Sequence, residues 1–312
     1  MSQCRVFGYG DIHRLVDPSV FEHSVEVELT NRCNADCVFC PRSEQLRPIG
    51  NMSEEVFAGL VDRFDRDGIS HISLNGYGEP TSHPSYVEFA EALRARLPAT
   101  ELSTTTNGSL LRPDMMRRML DGVFNKITLS WWGWDRASYE ETMLRLRFDR
   151  VHANLRELVQ MRRAMRSRTD VEVCLVRTVR SQADLERTVA FLLQEGIRNF
   201  CILTAHNRAN LLRDETIWRT AAEPDSEQDD RAAADDLCSR RSMVIRFVDW
   251  MGRIHQCCND IQDRALIGDA REMSIQEATR LAADNYWRLK DTFCVGCTMP
   301  RTLKLVEFRH YS

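Results

Sequence analysis

Cys33, Cys37 and Cys40 stand in the run Cys33-Asn34-Ala35-Asp36-Cys37-Val38-Phe39-Cys40, directly after the stretch Val25-Glu26-Val27-Glu28-Leu29. Thiols at that spacing on one short loop suit a shared metal centre. Three thiolates saturate three of the four irons of a [4Fe-4S] cluster and leave one iron open to a small ligand. A zinc knuckle or unrelated buried thiols are the alternatives for three cysteines taken alone. A second set lies toward the C-terminus, with Cys238, the pair Cys257-Cys258, and Cys294-Val295-Gly296-Cys297. A Cys-x2-Cys is a common clamp for zinc or iron-sulfur sites, and four well-spaced cysteines complete such a site.

The elements that must carry these residues follow from the pattern of apolar positions. Strand-length runs over Val25 to Leu29, Ile69 to Leu74, Glu101 to Thr105, Lys126 to Ser130, Val171 to Val176 and Asn199 to Leu203 alternate with helix-length amphipathic stretches. The helices are expected over Ser53 to Asp67, with Ser53 as N-cap, Ser85 to Arg96, Pro113 to Asp121, Val151 to Arg166, and Ala183 to Glu195 ended by Gly196. Such a rhythm predicts a parallel α/β sheet, here a partial (β/α)6 barrel, with functional loops at the C-terminal ends of its strands. Beyond it the rhythm changes, with strands at Met243 to Val248 and Ile254 to Cys257 and a helix over Ser274 to Leu289. The expected organisation is an N-terminal segment over 1–23, a barrel over 24–220, an acidic loop or linker over 221–237, and a cysteine-bearing extension over 238–312.

Composition narrows the class of protein. The 312 residues carry a formal net charge of −4, with basic side chains spread along the helices, so nucleic acid is not an expected partner. No stretch approaches the roughly 20 apolar residues of a membrane span. Eleven cysteines follow a start, Met1-Ser2-Gln3-Cys4-Arg5, that lacks the apolar core of a secretory signal. A reducing, cytoplasmic setting is the expectation, with the cysteines used for metal or radical chemistry rather than disulfides.

The Cys-x3-Cys-x2-Cys spacing at the end of a first strand, with the aromatic Phe39 before the third cysteine, resembles the cluster motif of the radical S-adenosylmethionine (SAM) enzymes. The resemblance implies a partial barrel, a [4Fe-4S] cluster on Cys33, Cys37 and Cys40, and SAM bound at the open iron. It also implies cleavage of SAM to a 5'-deoxyadenosyl radical, and a reductant such as flavodoxin or ferredoxin. After the second predicted strand, Asn75-Gly76-Tyr77-Gly78-Glu79-Pro80 is similar to the family's SAM-amino segment. Thr104-Thr105-Thr106-Asn107-Gly108 resembles its Thr-Asn-Gly segment, and Ser130 stands where the family often contacts SAM. Each is weak alone as a short motif, but together and in order the resemblance assigns Gly76, Gly78, Glu79, Thr106, Asn107 and Ser130 to the cofactor, with Phe39 and Arg177. Arg177 and the segment Ala205-His206-Asn207-Arg208 occupy equivalent strand ends and are within expected reach of SAM or substrate.

The C-terminal run from Gly252 through Cys257-Cys258, Ile267-Gly268-Asp269 and Cys294-x2-Cys297 is similar to the twitch form of the SPASM extension. That form implies one auxiliary [4Fe-4S] cluster, by position on Cys238, Cys257, Cys294 and Cys297. Cys4, Cys174 and Cys201 read as structural, whereas Cys258 is left over beside a cluster ligand. Trp131, Trp132 and Trp134 fall near the expected barrel mouth, where ordinary packing accounts for at least two of them, and Asp135 and Glu140 are candidate partners for substrate ammonium groups. An S–H bond is weaker than a typical C–H bond, so a thiol at Cys258 would return hydrogen to a substrate radical. The expected activity is therefore a radical epimerase similar to those of aminoglycoside biosynthesis, acting on a small sugar-like substrate. A dehydrogenase of an amino-cyclitol or sugar alcohol and a peptide epimerase are the alternatives.

Overall fold

The computed structural model describes residues 4–8, 23–178, 182–218, 238, 246–299 and 306–312. Strands β2 (Ser24–Val27), β3 (His71–Leu74), β4 (Glu101–Thr106), β5 (Lys126–Ser130), β6 (Asp170–Arg177) and β7 (Asn199–Thr204) pair in parallel and in chain order. Helices α1 (Glu54–Asp67), α2 (Tyr86–Arg96), α3 (Pro113–Arg118), α4 (Arg136–Glu140), α5 (Phe148–Met165) and α6 (Gln182–Gln194) lie between these strands. A short α7 (Glu215–Trp218) follows β7. The sheet does not close, because each edge of the six-stranded core is taken by other strands. On one side β8 (Arg246–Val248) joins β2 in parallel, followed by the antiparallel β9 (Arg253–His255) and β10 (Leu266–Asp269). On the other, β11 (Glu307–Tyr311) pairs antiparallel with β7 and carries β1 (Cys4–Gly8) outside it. This is the predicted partial barrel, within a single eleven-stranded sheet that runs on into the cysteine-bearing extension. The acidic segment 221–237 lies outside the described residues.

The strands have two unlike faces. Val25, Val27, Ile72, Leu74, Leu102, Ile127, Leu129, Val171, Val173, Phe200 and Ile202 join helix residues such as Leu60, Phe64, Leu93, Leu155 and Leu185 in one buried core. Each fully buried aliphatic side chain there contributes about 1.5–3 kcal/mol. The alternating positions carry Glu26, Ser73, Asn75, Ser103, Thr105, Thr128, Glu172, Cys174 and Cys201, so the inner face is polar. Local signals fix the helices: Ser53 Oγ accepts from Val56 N at 3.2 Å and Gly68 ends α1 at φ +62°. Ser274 caps helix α8 (Ile275–Leu289) in the same way. Asp67 ties α1 to α8 by accepting from Ile275 N at 2.8 Å.

A buried charge network joins the barrel to the extension. Arg47 donates to both carboxylate oxygens of Glu28 at 2.7 and 3.2 Å and lies 3.7 Å from Asp249, with all three side chains fully buried. Asp249 also accepts from Arg253 and contacts His255, whose other ring nitrogen faces Asp260 at 3.3 Å. The carboxylates of Asp249 and Asp263 are both engaged by Arg253, at 2.7 and 2.8 Å, so this acidic group balances an arginine within the fold. Removing one partner of a buried pair leaves an uncompensated charge. Arg47→Ala is therefore expected to lower unfolding free energy by about 3–5 kcal/mol in denaturant titration; a loss below about 1 kcal/mol, the range of exposed pairs, would contradict this role.

Candidate active site

The loop after β2 carries Cys33, Cys37 and Cys40, each half-buried. Its backbone is stitched to the turn after α4, since Asp36 N donates to Leu144 O at 3.0 Å and Val38 N to Thr142 O at 3.1 Å. Burial pushes the Cys33 thiol up to about 11, helped by Glu79 and Cys40. Cys37 is raised by burial and then by Cys40 and Cys33, and Cys40 by burial, so a shared cationic centre is what would hold all three as thiolates. Phe39 packs against the main core at the edge of this loop.

The segment after β3 lies directly on the cysteine loop. A Cβ on Gly78 would stand 2.0 Å from Thr30 O, and Glu79 N donates to Arg32 O at 2.7 Å. A Cβ on Gly76 would meet the Glu28 side chain at 2.7 Å, so both glycines are required by close approach. Glu79 is buried and accepts from Thr81 N, Thr81 Oγ1, Thr106 Oγ1 and Asn107 N. Burial raises its carboxyl against the pull of those donors. Asn107 Nδ2 donates to Asn34 Oδ1 at 2.9 Å, which brings Gly76, Gly78, Glu79, Thr106 and Asn107 into one unit with the cysteine loop. Ser130 ends β5 on the polar inner face, in register with Cys174 of β6. Cys174 and Cys201 are themselves in register on adjacent strands, and burial and their mutual hydrogen bond raise the Cys201 thiol.

Four cysteines of the C-terminal set converge. Cys238, Cys257, Cys294 and Cys297 line one cavity together with Arg246, Gln256, Asn259 and Tyr286. Burial and then neighbouring thiols push Cys294 up to about 12 and raise Cys238 and Cys257 as well. The four thiols, with the Arg246 cation beside them, fit an iron-sulfur cluster. Cys258 does not line that cavity. It packs, as Cys40 does, against the cluster of Tyr77, Phe247 and Ile261, and its thiol is pushed up to about 12 by burial, Glu26 and Cys297, against Arg208.

Arg208 is the residue that sequence reasoning left undecided. It follows β7 in the left-handed region at φ 51°, as do Ala209 at 55° and Asn210 at 65°. That backbone is clasped by the C-terminal turn: Asn207 Nδ2 donates to Gly296 O at 2.6 Å, Asn207 N to Thr298 Oγ1 at 3.0 Å, and Thr298 N to Asn207 Oδ1 at 3.1 Å. The guanidinium lies among Tyr77, Cys258, Cys40 and Cys174, with Glu26 opposite, accepting from Asn75 Nδ2 at 3.2 Å.

Three expectations are corrected. Arg177 was assigned to the cofactor, but its guanidinium pairs with Glu307 of β11, at the edge of the sheet. Asp135 is not turned to a ligand: it forms a capping box for α4 with Ser138, accepting from Ser138 N at 2.8 Å. Glu140 accepts from Phe148 N and faces Arg147 at 3.6 Å. Trp131 and Trp132 are core residues, 1% exposed, as ordinary packing required, and Trp134 lies under Arg187 at 5.5 Å.

Residues 27–171 match the model of the Radical SAM superfamily. Over those residues the chain matches the radical SAM domain, whose chemistry uses a [4Fe-4S] cluster and SAM. Solved structures share the fold over most of the chain. BtrN in complex with AdoMet and 2-DOIA superposes with TM-score 0.54 at 16% identity, over 91% of this chain and 98% of that one. Streptococcus suis SuiB bound to precursor peptide SuiA gives 0.64 at 15% identity over 91% and 71%, and anSMEcpe with bound AdoMet gives 0.63 at 16% identity over 90% and 88%. Among curated relatives, a probable GTP 3',8-cyclase of Methanothermobacter marburgensis is 31% identical over 107 residues, 34% of either chain. The mycofactocin maturase MftC of Mycobacterium ulcerans is 29% identical over 114 residues, 35% of this chain and 30% of that one. The matched region thus spans about a third of these relatives' length. No described helix is long and apolar enough to cross a membrane.

Proposed function

We propose that the chain is a radical SAM epimerase that inverts a carbon centre of an aminoglycoside-type intermediate. The observation that carries this reading is the different placement of two consecutive thiols. Cys257 lines the four-cysteine cavity, whereas Cys258 lies outside that lining, packed against Tyr77, Phe247 and Ile261 and within the influence of Glu26, Arg208 and Cys297. A thiol beside a cluster that its neighbour would ligate is suited to donate hydrogen with an electron carrier close by. In this reading Cys33, Cys37 and Cys40 hold the SAM-binding cluster, and Cys238, Cys257, Cys294 and Cys297 hold the auxiliary one. Bound SAM and its cluster, fed by a donor such as flavodoxin or ferredoxin, supply the 5'-deoxyadenosyl radical that takes hydrogen from substrate carbon.

The chain's own residues do the rest. Cys258 returns a hydrogen atom to the carbon radical, the S–H bond breaking as the new C–H bond forms, and the thiyl left on Cys258 would be restored by one electron, which an auxiliary cluster on Cys238, Cys257, Cys294 and Cys297 would supply, and one proton from solvent. Glu79, Thr106 and Asn107 fix the loops that frame the cofactor, while Gly76 and Gly78 let the backbone close on it. Glu26 places a carboxylate on the polar inner face, suited to an ammonium group of an amino sugar, and Asn75, Ser103 and Thr105 offer partners for hydroxyls. Turnover in D2O tests the reading: an inverted product one mass unit heavier supports it. A product two units lighter would instead mean net oxidation, the second reading. Reconstituted protein is expected to hold about eight irons if two [4Fe-4S] clusters form, and about four after Cys294→Ala with Cys297→Ala. Four irons in the unaltered chain would remove the auxiliary cluster.

A further inference from the structure

Tyr139 is fully buried, yet its hydroxyl has no hydrogen-bond partner among the described residues. Buried hydroxyls are seldom left unmatched, since the loss of hydration costs about 1–3 kcal/mol. The ring is fixed on three sides: its centroid lies 4.7 Å from that of Trp131 and 5.7 Å from that of Phe148, and its backbone carbonyl accepts from Thr142 N and Met143 N. The turn so formed is the one stitched to the cysteine loop, through Asp36 N to Leu144 O and Val38 N to Thr142 O. Cys37 stands between those two anchored amides. Burial raises the phenol, and the acidic groups Cys37, Glu140 and Glu79 around it raise it further.

We infer that the Tyr139 hydroxyl donates a hydrogen bond to the Cys37 sulfur once that sulfur ligates iron, and thereby tunes the SAM-binding cluster. The unmatched donor then finds an acceptor that exists only in the loaded protein. A thiolate sulfur carrying cluster charge is a better acceptor than a thiol, and hydrogen bonds to cluster sulfurs stabilise the more negative, reduced state. Tyr139 is therefore a positioning residue that makes the cluster easier to reduce. The inference rests on the ligand assignment proposed above.

The test is Tyr139→Phe in the full chain, reconstituted with iron and sulfide. Phenylalanine keeps the ring contacts with Trp131 and Phe148 and deletes only the hydroxyl. Iron content is expected to stay at the unaltered value, while the midpoint of the SAM-binding cluster, followed by electron paramagnetic resonance in a reductive titration, moves to more negative potential. Resonance Raman is expected to show a small deuterium shift of the Fe–S(Cys) stretch in the unaltered chain that disappears in the variant. An unchanged midpoint and stretch at full iron content would overturn the inference while leaving the ligand assignment intact. Loss of the cluster in Tyr139→Phe would also overturn it, by giving the residue a purely structural role. Retention of the SAM-binding cluster in Cys37→Ala would overturn the ligand assignment, and the inference with it.

Discussion

Cys258→Ala is expected to cleave SAM and to yield no inverted product. Hydrogen abstraction depends on the loop of Cys33, Cys37 and Cys40 and on the unit formed by Glu79, Thr106 and Asn107, none of which the substitution alters. Only the return of hydrogen fails. The substrate radical, once formed, has no donor on that face, so 5'-deoxyadenosine accumulates while epimer falls to background. Alanine also removes a thiol held beside Tyr77 and Phe247, a small apolar change next to a well-packed cluster that the fold tolerates. The measurement is a paired quantitation of 5'-deoxyadenosine and epimer by mass spectrometry. Epimer yield equal to that of the unaltered chain would return Cys258 to a structural role, and an oxidised product made equally by both proteins would establish the dehydrogenase reading.

Replacing Cys33, Cys37 or Cys40 by Ala is expected to abolish SAM cleavage altogether. Each of the three is raised by burial, and Cys37 further by the other two, an arrangement that is unfavourable for free thiolates and favourable for ligands of one cluster. A cluster with two protein ligands loses the geometry that exposes a single open iron. Iron content of each variant should drop by about four per chain while the auxiliary site keeps its own. Continued formation of 5'-deoxyadenosine would refute the assignment, whatever the iron content.

Much of this was written in local chemistry. Lys126–Ser130 is a strand in the structure as in the pattern, and Ser53, Gly68 and Ser274 mark helix ends by capping rules that need only a few neighbouring residues. The pairing of β1 with β11 was not legible, since it joins residues some three hundred positions apart by backbone hydrogen bonds that leave no periodic signal. Asp135 illustrates a different failure. A carboxylate three residues before Ser138 is as good a sign of a capping box as of an ammonium site, and here the helix claims it. Arg177 and Arg208 stand at equivalent strand ends, and the sequence offers no means of choosing between them. The choice comes from their neighbours, because β11 supplies Glu307 beside one and the C-terminal turn bends the chain so that the other enters the barrel. Likewise Cys257 and Cys258 are indistinguishable as letters, and only their surroundings separate them.

The three left-handed residues Arg208, Ala209 and Asn210 have a mechanical consequence. Non-glycine residues in that region cost of order 1–3 kcal/mol each when not held in place, and here the holding is done by hydrogen bonds that Asn207 and Asn210 donate to Val295, Gly296 and Thr298 and by one that Asn207 accepts from Thr298 N. The mouth of the barrel is thus a spring latched by the last cysteine turn. A chain cut before Cys294 would lose the latch, and the guanidinium beside Cys258 would be released with it, so the two ends of the molecule mature as one piece.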